Sequence, residues 1–363
     1  MIAGKHCPNV ARRMENSANG CRAVARAVPQ LDKERSGQIC VMRLQHPPLN
    51  SVEESMLDAG IRKIGGMMKP LLPLPPGLMA LPGREIVRDT MGLPVILGRV
   101  GSLEVRLATT RKDIRRAQRL RFKVFYEEMG AVPSAAQQLS RRDKDAFDRV
   151  CDHLLVYDLA HAAGPLKRPK PRVVGTYRLL RQDVAERNFG FYSAAEFDVA
   201  PLLARHPGMR FLELGRSCVL KPYRTKKTVE LLWQGIWAYV LHHRMDVMFG
   251  CASLGGTNPL AIREELAFLQ AQAGATGDWH AAARPEHAVP MDLIPEAKLD
   301  MRRALAALPP LVKGYLRLGC RIGEGAVIDR QFGTTDVLII LPVSRIDRRY
   351  ISYYGADASR YAA

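Results

Sequence analysis

Apolar positions repeat at three and four residues over 112–129, KDIRRAQRLRFKVFYEEM, at Ile114, Ala117, Leu120 and Val124 with Phe125 beside them. That period predicts an amphipathic helix, with Asp113 as a candidate cap and Gly130 and Pro133 as its end. Its opposite face carries Arg115, Arg116, Arg119 and Lys123. GSLEVRLATT (101–110), HLLVYDL (153–159), VVGTYRLLR (173–181) and FLELGRSCVL (211–220) read as strands, with a Pro/Lys/Gly turn at 164–171. A long helix follows over 225–243, then a strand over 246–254. A further helix opens at Asn258 and Pro259, and a late strand spans 336–343. This order predicts a mixed α/β domain whose central sheet is flanked by helices.

The pattern is weaker upstream. Residues 1–50 read as a basic, loosely ordered tail with one short helix near 21–28, and 51–66 suits a helix. Residues 70–83, PLLPLPPGLMALPG, hold five prolines and exclude a regular helix interior. Their Leu and Met content fits either a linker packed on the domain or a segment lying at a lipid interface. The expected layout is a poorly ordered or loosely packed extension over 1–100, a folded domain over 101–345 and a tail over 346–363.

Composition narrows the class. The 363 residues are 47% hydrophobic and 25% charged, which is globular usage. Lys plus Arg number 54 against 36 Asp plus Glu, a formal charge of +18. Such a field favours an acidic partner: nucleic acid, anionic lipid or an acidic protein. No uncharged apolar run is long enough to predict a transmembrane helix, and the N-terminus lacks a secretory apolar core. The seven scattered cysteines form no CxxC pair, so a reducing cytoplasm is expected and no metal site is read.

FLELGRSCVLKPYRTKK is the richest segment chemically. A carboxylate inside an apolar strand must be paired, solvated or functional, so Glu213 is either a general base or a structural partner of an arginine. The strand runs into Lys221, Arg224, Lys226 and Lys227, with Thr225 and Thr228 where the next helix begins. Free N–H groups there, with the lysines, make a phosphate site; a solvated basic loop is the alternative. Asp143, Asp145 and Asp148 in RRDKDAFDRV match no EF-hand loop. They suit a cationic amine, or pairing with Arg116, Arg121 or Arg178. His153 and Asp158 show an acyltransferase-like His-x4-Asp spacing, but positions five apart in a strand face opposite sides. Gly255-Gly256 and Gly323-Glu324-Gly325 lack the spacing of a dinucleotide or P-loop fingerprint. No G-x-S-x-G elbow is present.

Several segments together resemble the ornithine N-acyltransferases that form lyso-ornithine lipid, a family of the GNAT acetyltransferase superfamily related to the acyl-homoserine-lactone synthases. They are RFKVFYEEMGA, DAFDRVCDHLLVYD, VVGTYRLL, FYSAAEFDVAPLL, FLELGRSCV and LPPLVKGYLRLGCRIGEGAVIDRQFGTTDVLIIL, within roughly 100–345. The last run points to the lipid-forming branch. The family's helix arginine and phenylalanine fall on Arg121 and Phe125, its paired aspartates on Asp145 and Asp148, its strand arginine on Arg178, and its Glu-x-x-Arg pair on Glu213 and Arg216. Lactone synthases carry Trp where this chain has Ala131. Simple alternation would put Glu213 and Arg216 on opposite faces, so the resemblance implies a β-bulge between Leu214 and Ser217.

The resemblance also implies a reaction. A 3-hydroxyacyl chain would pass from acyl carrier protein to the α-amine of L-ornithine, with Glu213 as base and the backbone of Ser217, Cys218 and Val219 near the thioester oxygen. No cofactor would be resident, because phosphopantetheine arrives on the carrier. The loop Arg224–Thr228 lacks the glycines of the superfamily's pyrophosphate loop, which favours a carrier over coenzyme A. Lys221, Arg224, Lys226, Lys227 and Thr228, with the basic helix face at 115–123, would complement an acidic carrier. Asp145 and Asp148 would hold the δ-ammonium of ornithine, and aromatics near 191–197, 233–237 and 245–249 an acyl groove. The product being a lipid, a cytoplasmic protein with peripheral contact to an anionic inner membrane is expected. The alternatives are an acyl-homoserine-lactone synthase, an acyl-coenzyme A-dependent N-acyltransferase, or a non-enzymatic binder of membrane surface or nucleic acid. Specific nucleic-acid binding lacks any motif.

Overall fold

Eleven strands order the computed structural model, which describes residues 90–161 and 170–347. The first elements are β1 (Ile96–Val100), β2 (Leu103–Leu107), α1 (Arg111–Phe122), α2 (Ala135–Ser140), β3 (Asp152–Asp158), β4 (Arg172–Arg181), α3 (Gln182–Glu186), β5 (Phe197–Asp198) and α4 (Ala200–Arg205). Then come β6 (Phe211–Val219), α5 (Lys226–His243), β7 (Val247–Gly255), α6 (Arg263–Ala273), β8 (Ala282–Ala283), β9 (Ala288–Val289), α7 (Met301–Ala307), α8 (Pro310–Arg317), β10 (Arg321–Asp329) and β11 (Thr334–Pro342). The sheet order is β1-β2-β3-β4-β6-β7-β11-β10-β8-β5, with β9 on β10. The expected mixed α/β architecture with a helix-flanked central sheet is what forms. The helices expected at 21–28 and 51–66, the proline-rich stretch 70–83, most of the turn at 164–171 and the tail beyond 347 lie outside the described residues.

Local chemistry sets the element ends. Thr110 caps α1, and Asp113 closes the capping box from the third helical position rather than serving as the cap itself. The expected helix over 112–129 is thus α-helical to Phe122 and continues as a π-turn over Lys123–Glu128. Thr225 caps α5, its side chain accepting from the Thr228 amide. Asn258 caps a 3-10 turn, Pro259–Ile262, before α6 begins. The sheet starts at Ile96, ahead of the expected boundary at 101. Strand β10 has no alternating signature because Gly323 and Gly325 interrupt it, and its pairing with β11 slips between Ile322 and Ala326.

Strand alternation sorts the two faces of the sheet. On β3, Tyr157 meets Asp113 and Arg116 of α1, whereas Leu154 packs by Gly235 of α5. The α1 and α5 helices therefore cover opposite faces. Trp233 and Trp237 of α5 join the main apolar core. Phe191, Tyr192, Phe197, Phe211 and Phe249 form a second core. The aromatics expected to line an acyl groove are thus divided between two apolar cores. Among the described residues no helix is long and apolar enough to cross a membrane.

Two irregularities in the centre of the sheet matter most. First, β6 carries one extra residue against β4: Thr176 pairs Cys218 and Arg178 pairs Gly215. The bulge falls at Arg216–Ser217, within the expected stretch, and Arg216 takes φ +50° there. Second, β6 and β7 pair in parallel only over Phe211–Glu213 and Val247–Phe249. Beyond that, β6 keeps β4 and β7 keeps β11 as partners, so the two strands part. Gly250 marks the fork, where a Cβ would sit 2.3 Å from the Leu214 carbonyl oxygen.

Candidate active site

Three arginines and three aspartates meet beneath the bulge. Arg121, fully buried on α1, donates through Nε to Asp143 Oδ2 at 2.8 Å and through Nη2 to both Asp148 oxygens at 2.8 Å. Arg178 on β4 donates through Nη1 to Asp145 at 2.6 and 2.7 Å. Arg216 Nη2 reaches Asp145 Oδ2 at 3.1 Å, and its Nε lies 3.3 Å from Asp143 Oδ2. Each arginine faces two aspartates, since Arg178 also lies 3.5 Å from Asp148. The ring is closed and its formal charges cancel, which is the condition for burying six ions.

The local sequence explains how the acids are held. Asp145 and Asp148 form a reciprocal capping box around the short turn Ala146–Arg149, each accepting the other's amide. Gln118 Nε2 adds a 2.9 Å bond to Asp148. Burial opposes ionisation of Asp145, but the guanidiniums of Arg178, Arg216 and Arg121 outweigh it and hold the carboxyl far below its usual range. Burial opposes Asp148 as well, and Arg121 leads the groups that lower it. The ammonium-binding role expected for Asp145 and Asp148 does not follow from this geometry, because their charge is matched inside the ring.

Glu213 stands apart from the ions. Its Oε1 accepts from the Ser193 amide at 2.7 Å and the Ser193 hydroxyl at 2.5 Å; its Oε2 accepts from the Tyr192 amide at 2.9 Å. No guanidinium is among these partners. Burial pushes its carboxyl above the ordinary value, and the Ser193 and Tyr192 donors pull the other way. A carboxylate offers about four lone-pair directions. Three are used, and one on Oε2 remains for a proton. In the sequence Tyr192 enters only among the aromatics of the expected acyl groove, and Ser193 is not singled out. Their segment, FYSAAEFD, reads as an apolar run, and its function as a clamp on Glu213 depends on backbone N–H groups that carry no residue signature.

Tyr192 joins the two systems. Its hydroxyl accepts from Arg216 Nη2 at 3.1 Å, and its ring lies 5.2 Å below the Arg216 guanidinium carbon and 5.0 Å from that of Arg178. Phe332, in the β10–β11 turn, covers Arg216 at 5.7 Å and meets Phe125 edge-on at 6.2 Å. Phe125 and Arg121 thus come to the same site from one helix, and Ala131 is buried at its end. Ser217, Cys218 and Val219 are buried in β6, and the Cys218 thiol is sealed in the core. His153 lies against Asp148 while Asp158 accepts from Tyr223, so the two do not act as a pair.

The basic loop after β6 is less available than its sequence suggests. Arg224 donates to the Val219 carbonyl at 3.0 Å and is ion-paired with Glu128. Lys226 lies 3.5 Å from Glu230. Lys221 and Lys227 are exposed, and Thr228 is buried in the helix cap.

An acetyltransferase (GNAT) domain model matches residues 120–234, from the last turn of α1 to the first half of α5. The L-ornithine N(alpha)-acyltransferase of Brucella abortus is 54% identical over 285 residues, covering 78% of this chain and all of that protein. That of Agrobacterium fabrum is 55% identical over 279 residues, covering 77% of this chain and 93% of its own length. Among solved structures, FeeM, an N-acyl amino acid synthase from uncultured soil microbes, aligns over 67% of this chain and 92% of its own at 11% identity, TM-score 0.37. The acyl-homoserine-lactone synthase LasI aligns over 66% and 90% at 13% identity, TM-score 0.34. The sequence matches over nearly the full length of these relatives decide the assignment: the chain belongs to the L-ornithine N(alpha)-acyltransferase family, an N-acyltransferase family of the GNAT type.

Proposed function

We infer that this protein transfers a 3-hydroxyacyl chain from an acyl carrier protein thioester to the α-amine of L-ornithine, giving lyso-ornithine lipid. The observation that carries the reading is a buried carboxylate outside the arginine–aspartate ring, Glu213, beside the bulge on the strand that forks from β7, with one acceptor position left on Oε2. The acceptor is drawn from the activity named for the family; the carrier-bound donor is inferred from the glycine-free loop Arg224–Thr228 and the exposed Lys221 and Lys227.

An amine that attacks a thioester must lose its extra proton. The raised proton affinity of Glu213 suits it to take that proton, directly or through one water. The amine nitrogen bonds to the thioester carbonyl carbon, and the C–S bond breaks. The first proton taken by Glu213 passes on to the departing thiolate, giving the free pantetheine thiol, and the second N–H proton, lost as the amide forms, passes to the vacated carboxylate and from there to solvent. No acyl-enzyme is formed, which agrees with the burial of Cys218. Phosphopantetheine enters as part of the donor, and Lys221 and Lys227 are the exposed cations beside its expected path at the start of α5. The arginine–aspartate ring holds β4, β6 and α1 in register around the base. The donor pool places the reaction in the cytoplasm, with the amphiphilic product leaving toward the inner membrane surface.

The test is product analysis by mass spectrometry. Purified protein is mixed with 3-hydroxyacyl carrier protein and, separately, ornithine, lysine, glutamine or S-adenosylmethionine. N-acyl-ornithine from the wild type, reduced at least 100-fold in Glu213→Gln, is the expected result. An acyl-lactone from S-adenosylmethionine, or equal rates with acyl-coenzyme A, would replace the reading with a lactone synthase or a coenzyme A-dependent enzyme.

A further inference from the structure

A cavity of about 340 Å³ lies where α1 passes the start of β4 and the end of β6. Among the described residues Arg116, Arg119, Lys123, His161, Lys170 and Arg172 line it, and no carboxylate does. Buried Leu120, Val173 and Leu220 contribute its apolar lining. Arg116 is tied to Asp113 at 3.1 Å and Arg172 to His161 at 3.3 Å. Among the described residues, Arg119, Lys123 and Lys170 have no ion-pair partner. The combination is a concave, cationic cup with an apolar lining.

We propose that this cup is the docking site for an acidic, helical carrier protein, with the carrier's carboxylates on Arg119, Lys123 and Lys170 and an apolar side chain against Leu120 and Leu220. This rests on the reading that the acyl donor is carrier-bound. Three observations favour it. Of the cations expected to meet the carrier, Arg224 and Lys226 pair within the molecule, whereas Arg119 and Lys123 of the 115–123 helix face have no ion-pair partner among the described residues and lie in the cup. Leu220 leads directly into Lys221–Tyr223 and the Thr225 cap of α5, and its amide is bonded to the Val174 carbonyl at 2.9 Å. A carrier seated there would thread its prosthetic arm along the end of β6 toward the bulge. Finally, a concave cup accepts a convex helix, whereas a bilayer surface does not enter it.

The test compares two donors. In the double variant Arg119→Glu/Lys123→Glu, both changes fall on exposed positions of α1 and its π-turn. We expect kcat/KM with 3-hydroxyacyl carrier protein to fall at least ten-fold, mainly through KM, and to lose much of its salt dependence. With 3-hydroxyacyl pantetheine, which has no protein to dock, kcat/KM stays within two-fold. Equal losses with both donors, or no loss with either, overturn the proposal. Direct binding of the fluorescently labelled carrier, followed by anisotropy for wild type and for Lys170→Glu/Arg172→Glu, gives an answer that needs no turnover. It therefore separates failure of the docking site from failure of the ornithine reading. Loss of sedimentation with phosphatidylglycerol vesicles in these variants, with carrier binding intact, would reassign the cup to a lipid headgroup.

Discussion

Glu213 and Arg216 are three residues apart on one strand and both meet Tyr192: Glu213 takes its amide at 2.9 Å, and Arg216 gives a hydrogen bond to its hydroxyl at 3.1 Å. Regular alternation would place them on opposite faces. The extra residue at Arg216–Ser217 turns both to the same face, and Arg216 accepts a left-handed backbone to do so. The bulge therefore couples the candidate base to the ionic ring through one residue, Tyr192, by its amide on one side and its hydroxyl on the other.

Tyr192→Phe separates the parts of that coupling. The ring stays over Arg216, and the amide bond to Glu213 is untouched. Only the hydroxyl acceptor is lost, so unfolding free energy from urea titration is expected to fall by about 1–2 kcal/mol, with kcat changed only a few-fold. Tyr192→Ala also removes the ring and should cost about 3–5 kcal/mol. If Tyr192→Phe cost nothing, Arg216 would be held by its carboxylates alone.

Arg121 is the member of the ring with least access to solvent. Arg121→Met keeps most of the volume but leaves Asp143 and Asp148 short of a cation. The expected loss is about 3–5 kcal/mol, the usual cost of stranding buried charge. Arg121→Lys should recover only part of it, because one ammonium cannot reproduce a fork that reaches two carboxylates. A denaturation midpoint for Arg121→Met equal to wild type would mean that the ring does not support the fold.

Much of this site was legible in the sequence, and the reasons are specific. Charged residues inside apolar strands, as at Arg178 and Glu213, violate the burial rule and so announce themselves. The capping acids Asp145 and Asp148 lie in a charged stretch, RRDKDAFDRV, and are marked instead by their clustering and by the family resemblance. Their partners were harder to assign: closure of the ring depends on α1 crossing β4 and β6, which periodicity cannot supply. The Tyr192 and Ser193 clamp was hidden because it works through main-chain N–H groups. Strand β10 was hidden because its glycines, bought by the close packing at Leu338 and Ala283, erase alternation.

The ring also fixes the acid limit of stability. Asp145 and Asp148 have lower proton affinity folded than unfolded, so their contribution is fully present above the unfolded value, about pH 4. It is lost as pH falls further toward the depressed folded values. Urea midpoints are expected to fall steeply between pH 4 and 2, and less steeply in Asp145→Asn, which is already weakened at pH 7. A wild-type midpoint independent of pH over that interval would contradict the ionic ring.

Gly250 tests the fork between β6 and β7. A methyl group there would meet the Leu214 carbonyl oxygen, a main-chain atom with no room to swing aside, and φ of +152° adds backbone strain. Gly250→Ala should cost about 1–3 kcal/mol through overpacking, and more if the strands shift. The displaced neighbour is one residue from Glu213, so kcat should fall by more than stability accounts for at 25 °C. A soluble Gly250→Ala protein with wild-type kinetics would show that the fork does not need its close approach.

The sharpest check on Glu213 as a base is Ser193. Its hydroxyl and amide both donate to Oε1, stabilising the carboxylate against the burial that raises its proton affinity. Ser193→Ala removes the hydroxyl alone, so the carboxyl must rise further. A hydrogen bond to a charged acceptor is worth about 1.5–3 kcal/mol, and each pH unit corresponds to about 1.4 kcal/mol. The acid limb of kcat/KM should therefore move to higher pH by about one unit, while the rate on the plateau is retained or rises with the stronger base. A purely structural Ser193 would instead lower the rate at every pH and leave the limb in place. Ser193→Thr keeps a hydroxyl and should return the limb toward wild type; failure to do so, with the fold intact, would count against Glu213 as the proton acceptor.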